Sequence, residues 1–169
     1  MKIIIYGFKP YNGYKTNISE KVVKKVRNRK NLKKIVFKVE FNRSSFVNWI
    51  KKVRPAIIIG LGQTSKGRKI RIERRAINLR RKEGKKDFTT ISKRGSRYLF
   101  VNLKLQKEDY LRVSYDAGKY VCNYSMYVIA EFLKTLGKKV KFAFVHIPSN
   151  YKIDSVVEYI EKIIRSVQY

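Results

Sequence analysis

Acidic residues are scarce in this chain: 12 Asp and Glu stand against 41 Lys and Arg in 169 residues. Cysteine and histidine occur once each. One Cys cannot close an intramolecular disulfide, and a zinc site built on two or four Cys is excluded, which suits a reducing compartment. Long apolar runs are missing too. The N-terminal run covers only Ile3 to Tyr6, too short for the core of a signal peptide. No stretch approaches the about 18 apolar residues of a membrane span. What is present is apolar content of 44% and aromatic content of 13% in periodic blocks, which excludes a disordered chain. The length suits one domain over residues 1–169, able to bury about two-thirds of its unfolded surface. The expectation is a soluble, cytoplasmic protein that does not engage a membrane.

The net charge of +29 is unevenly spread. Residues 1–107 carry 32 Lys and Arg against 5 Asp and Glu, whereas residues 108–169 carry 9 against 7. Such asymmetry suggests a polyanion partner, nucleic acid or an anionic membrane surface. A lysine-rich surface suited to solubility is the alternative. No nucleic-acid reading motif is present, and the aromatics fall mostly on strands and apolar helix faces. At most, weak and non-specific nucleic-acid binding is expected.

Apolar runs alternate with amphipathic stretches. Strands are read at 2–7, 33–41, 56–62, 69–78, 98–103, 110–115 and 141–148. Helices are read after an N-cap at Ser19, after one at Ser44 or Ser45 as far as Pro55, and over 119–136 and 153–167. Residues 80–96 are polar, basic and Gly-containing, and read as an irregular or mobile excursion. Strand–helix alternation argues an α/β fold whose parallel or mixed sheet is covered on both faces.

Three residues carry chemistry. Cys122 falls in the first turn of a helix, where free N–H groups and positive potential favour a thiolate and can cradle an oxyanion. His146 ends a buried strand, where open α/β sheets place their ligand crevice. Glu73 sits among Arg71, Arg74 and Arg75. Together they match the nucleophile, base and orienter of a cysteine hydrolase. Taken singly, each has a plainer reading: a small buried hydrophobe, a hydrogen-bonded structural His and an ion pair.

Four motifs in order resemble the pyroglutamyl peptidase I (pyrrolidone-carboxylate peptidase) family. GFKPYNG is similar to its Gly-Phe-x-Pro-Phe-Gly-Gly, with Asn17 at the place of the family's Asn. PAIIIGLGQ followed by GRKIRIERRAINL resembles its strand, turn and Glu-Arg-x-Ala-x-Asn block. SYDAGKYVCNYSMY and FVHIP resemble the blocks holding the nucleophile and the catalytic histidine. The resemblance implies a three-layer α/β/α domain of the phosphorylase/hydrolase-like kind with a mostly parallel, mixed sheet. It also implies a cysteine peptidase that removes N-terminal pyroglutamate through Cys122, His146 and Glu73 and a thioester acyl-enzyme. Phe8 and Tyr11 become walls of the lactam pocket, Asn17 and Gln63 line it, and neither metal nor cofactor is called for.

The chain also departs from the family. Tyr11 replaces a Phe, Asn12 a Gly and Asp116 a Ser. LRRKEGKK follows Asn78 where the family continues to an arginine that helps the oxyanion, and the stretch after His146 is short. These departures leave open whether Arg80 or Arg81 takes that arginine's part, and whether the chain forms a homo-oligomer. They also leave an alternative: a member of the fold with idle chemistry or altered specificity that acts as a polyanion-binding module.

Overall fold

The computed structural model describes every residue except Asn12, Lys66, Glu83, Lys85, Lys107, Lys138, Gln168 and Tyr169. Asn12, singled out above as a departure, therefore lies outside the described residues. Six strands form the central sheet: β1 (Ile3–Phe8), β2 (Leu32–Phe37), β3 (Ile57–Thr64), β4 (Ile70–Glu73), β9 (Leu111–Ser114) and β10 (Lys141–Pro148). They lie in the order β2-β1-β3-β10-β4-β9. Every pairing is parallel except β10 with β4. The fold is the expected α/β class with a mixed, mostly parallel sheet.

Residue parity along the strands sorts the core into two layers. Ile4, Tyr6, Phe8, Ile58, Phe142 and Phe144 point to the face covered by α2 (Arg43–Val53) and α3 (Val121–Thr135). Ile3, Ile5, Ile57, Ile59, Val145 and Ile147 point to the face covered by α1 (Ile18–Lys25) and α4 (Ile153–Ser166). Strands buried on both sides read as continuous apolar runs because neither face meets water.

Several boundaries differ from the sequence reading. The cap of α1 is Asn17, whose Oδ1 accepts from Ser19 N; Ser19 is fully buried and its Oγ accepts from Phe8 N. An Ala at Gly7 would bring its Cβ within 2.7 Å of the Ser19 carbonyl, so a bare glycine lets α1 sit close on β1. Asn42, not a serine, caps α2, and Arg54 ends it in the left-handed region at φ 52. In both cases an Asx side chain reaches the free N–H groups of the first turn.

The stretch 69–78 is two strands, β4 and β5 (Arg75–Ile77). The chain turns out of the main sheet at Arg74, and β5 pairs with β8 (Tyr98–Phe100) in a separate ribbon. Strands read as ending at 41 and 103 stop at Phe37 and Phe100. The polar excursion holds a short hairpin, β6 (Arg80–Arg81) with β7 (Phe88–Thr89). Its base is tied down: Asn78 Oδ1 accepts from Ile91 N and Ser92 N, and Asn78 Nδ2 donates to Ser92 O and Gly95 O. Nor are all aromatics buried. Phe88, Phe100, Tyr115 and Tyr120 are exposed, and Lys119 lies over Phe88 and Arg81 over Tyr120. No helix among the described residues is long and apolar enough to cross a membrane.

Candidate active site

Cys122, His146 and Glu73 converge at the carboxyl ends of β3 and β10. Antiparallel register sets Phe144 opposite Glu73 and His146 opposite Arg71, so all four side chains share the face toward α3. His146 Nδ1 donates to Glu73 Oε1 at 2.7 Å, and Glu73 is fully buried. That bond leaves Nε2 for the thiol side of the ring. On β3, Gly62 lies directly opposite His146. A Cβ at Gly62 would stand 2.6 Å from Cys122 Sγ and 2.9 Å from the His146 ring, so this glycine makes the room in which thiol and imidazole meet.

The helix bearing Cys122 is held by its neighbour Asn123, which is fully buried. Its Oδ1 accepts from Ile77 N, and its Nδ2 donates to Ile77 O and Leu79 O. Among the described residues no side chain caps the start of α3 at Tyr120, which leaves its first N–H groups as donors beside Cys122. In the preceding turn, Asp116 Oδ1 accepts from Gly118 N at 2.9 Å and so engages the backbone.

The His146 imidazole is pushed up to about 9. Burial alone lowers it, but the charge of a Cys122 thiolate, the hydrogen bond with Cys122, and the hydrogen bond and charge of Glu73 outweigh that effect. An imidazolium beside a thiolate and a buried carboxylate is the charge state in which thiol and histidine act as nucleophile and acid.

The thiol opens into a cavity of about 920 Å³ that Phe8, Tyr11, Asn17, Gln63, Cys122 and His146 all line. Glu73 lies behind His146 and does not line it. The four residues expected to bind substrate are therefore together at the thiol, with differences among them. Phe8 is 1% exposed and packs edge-on with Tyr6 and Phe46, so its ring forms the cavity floor and also belongs to the core. Tyr11 is half-buried, and its phenol is pushed up by burial first and then by the charge of Cys122. Asn17 donates to Lys9 O while Oδ1 accepts from Ser19, and Gln63 Oε1 accepts from Ile18 N. Both amides thus spend polar atoms holding the β1–α1 loop around the cavity.

Sequence reasoning missed other cavity residues, among them Phe41, Thr64, Arg71 and Tyr120. For Arg71 the signal was available, since a residue two before Glu73 on a strand shares its face. Arg81 lines the cavity, while Arg80 packs over the Phe41 ring. Among the described residues no cluster of three His, Cys, Asp or Glu is placed to hold a metal ion.

A family model for pyroglutamyl peptidase matches residues 1–92 and 102–167. The chain is 30% identical over 170 residues to the pyrrolidone-carboxylate peptidase of Thermosipho melanesiensis, covering 89% of this chain and 84% of that protein. It is 33% identical to the one from Thermosipho africanus, covering 88% and 82%. In fold it is similar to the pyrrolidone carboxyl peptidase of Thermococcus litoralis, with a TM-score of 0.87 at 20% identity over 97% of this chain and 91% of that one. A mutant pyrrolidone carboxyl peptidase from Pyrococcus furiosus also gives a TM-score of 0.87, at 21% identity over 98% and 97%.

Proposed function

The chain belongs to the pyroglutamyl peptidase family, and from that membership we propose that it removes N-terminal pyroglutamate from peptides by a Cys122–His146–Glu73 triad. The observation that carries the reading is the 2.7 Å bond to a fully buried Glu73 from His146, which lines the cavity together with the chain's one thiol. Cys122 thiolate attacks the carbonyl carbon of the pyroglutamyl peptide bond, and the carbonyl oxygen takes up the negative charge. N–H groups at the uncapped start of α3 receive that charge. Arg81, rather than Arg80, is the arginine on the cavity side of the hairpin. As the tetrahedral adduct collapses, the C–N bond breaks and His146 passes its proton to the departing amine. A thioester between Cys122 and the pyroglutamyl group remains. Water, giving a proton to His146, then adds to the thioester carbonyl, and the C–S bond breaks to release pyroglutamate and the Cys122 thiolate beside the imidazolium.

Phe8 and Tyr11 suit a flat, neutral lactam, which has no charge to desolvate in such a slot. The rest of the cavity exceeds one lactam ring and accommodates the following residues of the peptide. A lone thiol that must stay reduced suits action in the cytoplasm.

The test is release of a fluorophore from a pyroglutamyl amide. Native protein should hydrolyse it, and protein alkylated at Cys122, or carrying Cys122→Ala, should not, while keeping its fold. Hydrolysis that survives removal of the thiol refutes the triad reading.

A further inference from the structure

Arg71 lies two residues before Glu73 on β4 and directly opposite His146 across the ladder to β10. Its Nε is 3.2 Å from Glu73 Oε1, the same oxygen that accepts from His146. Its Nη2 is 3.5 Å from His146 Nδ1 and 3.4 Å from Thr64 Oγ1. Two cations thus converge on one carboxylate oxygen, although Arg71 Nε is buried and, among the described residues, meets it as an ion pair without hydrogen-bond geometry. We propose, on the basis of the triad reading, that Arg71 is a positioning residue: the fixed second counter-charge of Glu73. It keeps that carboxylate ionised and Oε1 turned to His146 while the imidazole alternates between charged and neutral.

The need follows from burial. A fully buried carboxylate keeps its charge only beside a cation, and otherwise takes up a proton. In the proposed cycle His146 gives its proton to the leaving amine, so its charge vanishes at the step where it must stay aligned. The guanidinium of Arg71 is a fixed, planar cation, and it is already in place. It lies too close to Nδ1 to be neutral toward the imidazolium, whose charge it opposes, and it adds positive potential around the thiolate.

Other charged or titratable groups line the same cavity as Cys122 and His146: Asp116 and Tyr120 before α3, Tyr11 and Tyr14 after β1, Glu40 after β2, and Arg81, Lys82 and Lys86 from the β6–β7 hairpin. Phe144, edge-on to the His146 ring, and Thr64, beside Arg71, carry no charge. Among the described residues, Arg71 is the Lys or Arg that forms an ion pair with Glu73.

The experiment uses the full chain with Arg71→Gln and Arg71→Lys, and Arg71→Met as a second neutral variant should Gln not fold. Two profiles against pH are read: the rate of Cys122 alkylation by iodoacetamide, and kcat for a pyroglutamyl amide. A neutral side chain at 71 lets the buried Glu73 take up a proton, so the imidazolium loses a counter-charge at 2.7 Å while escaping a cation at 3.5 Å, and the loss outweighs the relief. The alkaline limb should therefore move down and the acid limb up, each by about one pH unit; an alkaline limb that moves up overturns the proposal. Arg71→Lys should hold both limbs near their native positions. Unmoved limbs in a folded neutral variant, or a rise in KM alone with kcat and limbs intact, overturn the proposal; the latter would make Arg71 a substrate contact. The alkylation arm needs no hydrolysis, so a native protein that cleaves nothing refutes the proposed function and leaves this test standing.

Discussion

Because the chain has one histidine, its imidazole can be titrated by NMR without assignment, and that titration tests the site most directly. His146 is pushed from its ordinary 6.5 up to about 9 against the effect of its own burial. The gap corresponds to about 3 kcal/mol of preference for the imidazolium in the folded state. The folded value is raised, so this stabilisation is fully present below pH 6.5 and is lost as pH rises through about 9. Two groups hold it up, the thiolate of Cys122 and the carboxylate of Glu73, and each can be removed. Cys122→Ala deletes the charge and hydrogen bond that contribute most after burial, and should bring the midpoint down by at least about one unit. Glu73→Gln keeps the shape, removes the charge and should also lower it. Monitored by the Cε1–H shift, the native protein should show one transition near pH 9, and both variants should titrate earlier. A native midpoint at or below 6.5, or one unmoved by removal of the thiol, would refute the coupling of the three side chains.

Gly62→Ala should abolish hydrolysis, because its Cβ would press on both Sγ and the imidazole; full activity on a pyroglutamyl amide would contradict the packing described. Phe8→Ala should cost about 3–5 kcal/mol by chemical denaturation as well as activity, since the ring is core and cavity floor at once. Tyr11→Ala should raise KM at little cost to stability, and equal cleavage of glutamyl and pyroglutamyl amides by native protein would remove the slot argument. In a salt titration against mixed DNA and RNA, binding should be weak and fall steeply with salt. Tight binding at physiological salt would instead make the exposed aromatics around Tyr120 and Phe88, with their basic neighbours, a stacking surface.

Much of this was legible in the residues. Doubly buried strands announce themselves as apolar runs, so β1, β3 and β10 were found, and the period of α3 set Cys122 in its first turn. Local chemistry misled where two candidates competed. Ser19 looked like the cap of α1, but Asn17 reaches the first-turn donors and leaves Ser19 to bond Phe8 N. The alternation of 69–78 did not betray the turn at Arg74, because both halves pair as strands, in different sheets.

The sequence by itself determined the α/β class and the order of the four helices and the main-sheet strands, since periodicity is a local property, and its resemblance to a known family singled out Cys122, His146 and Glu73. Only the tertiary structure decided which of them meet. The antiparallel placement of β4 against β10 is a non-local pairing, and it alone turns Glu73 and Arg71 toward His146. The bare Gly62 opposite His146 matters only because α3 returns Cys122 to that point of the sheet. Contacts between residues 24 and 75 positions apart arise from packing, which no window along the chain contains.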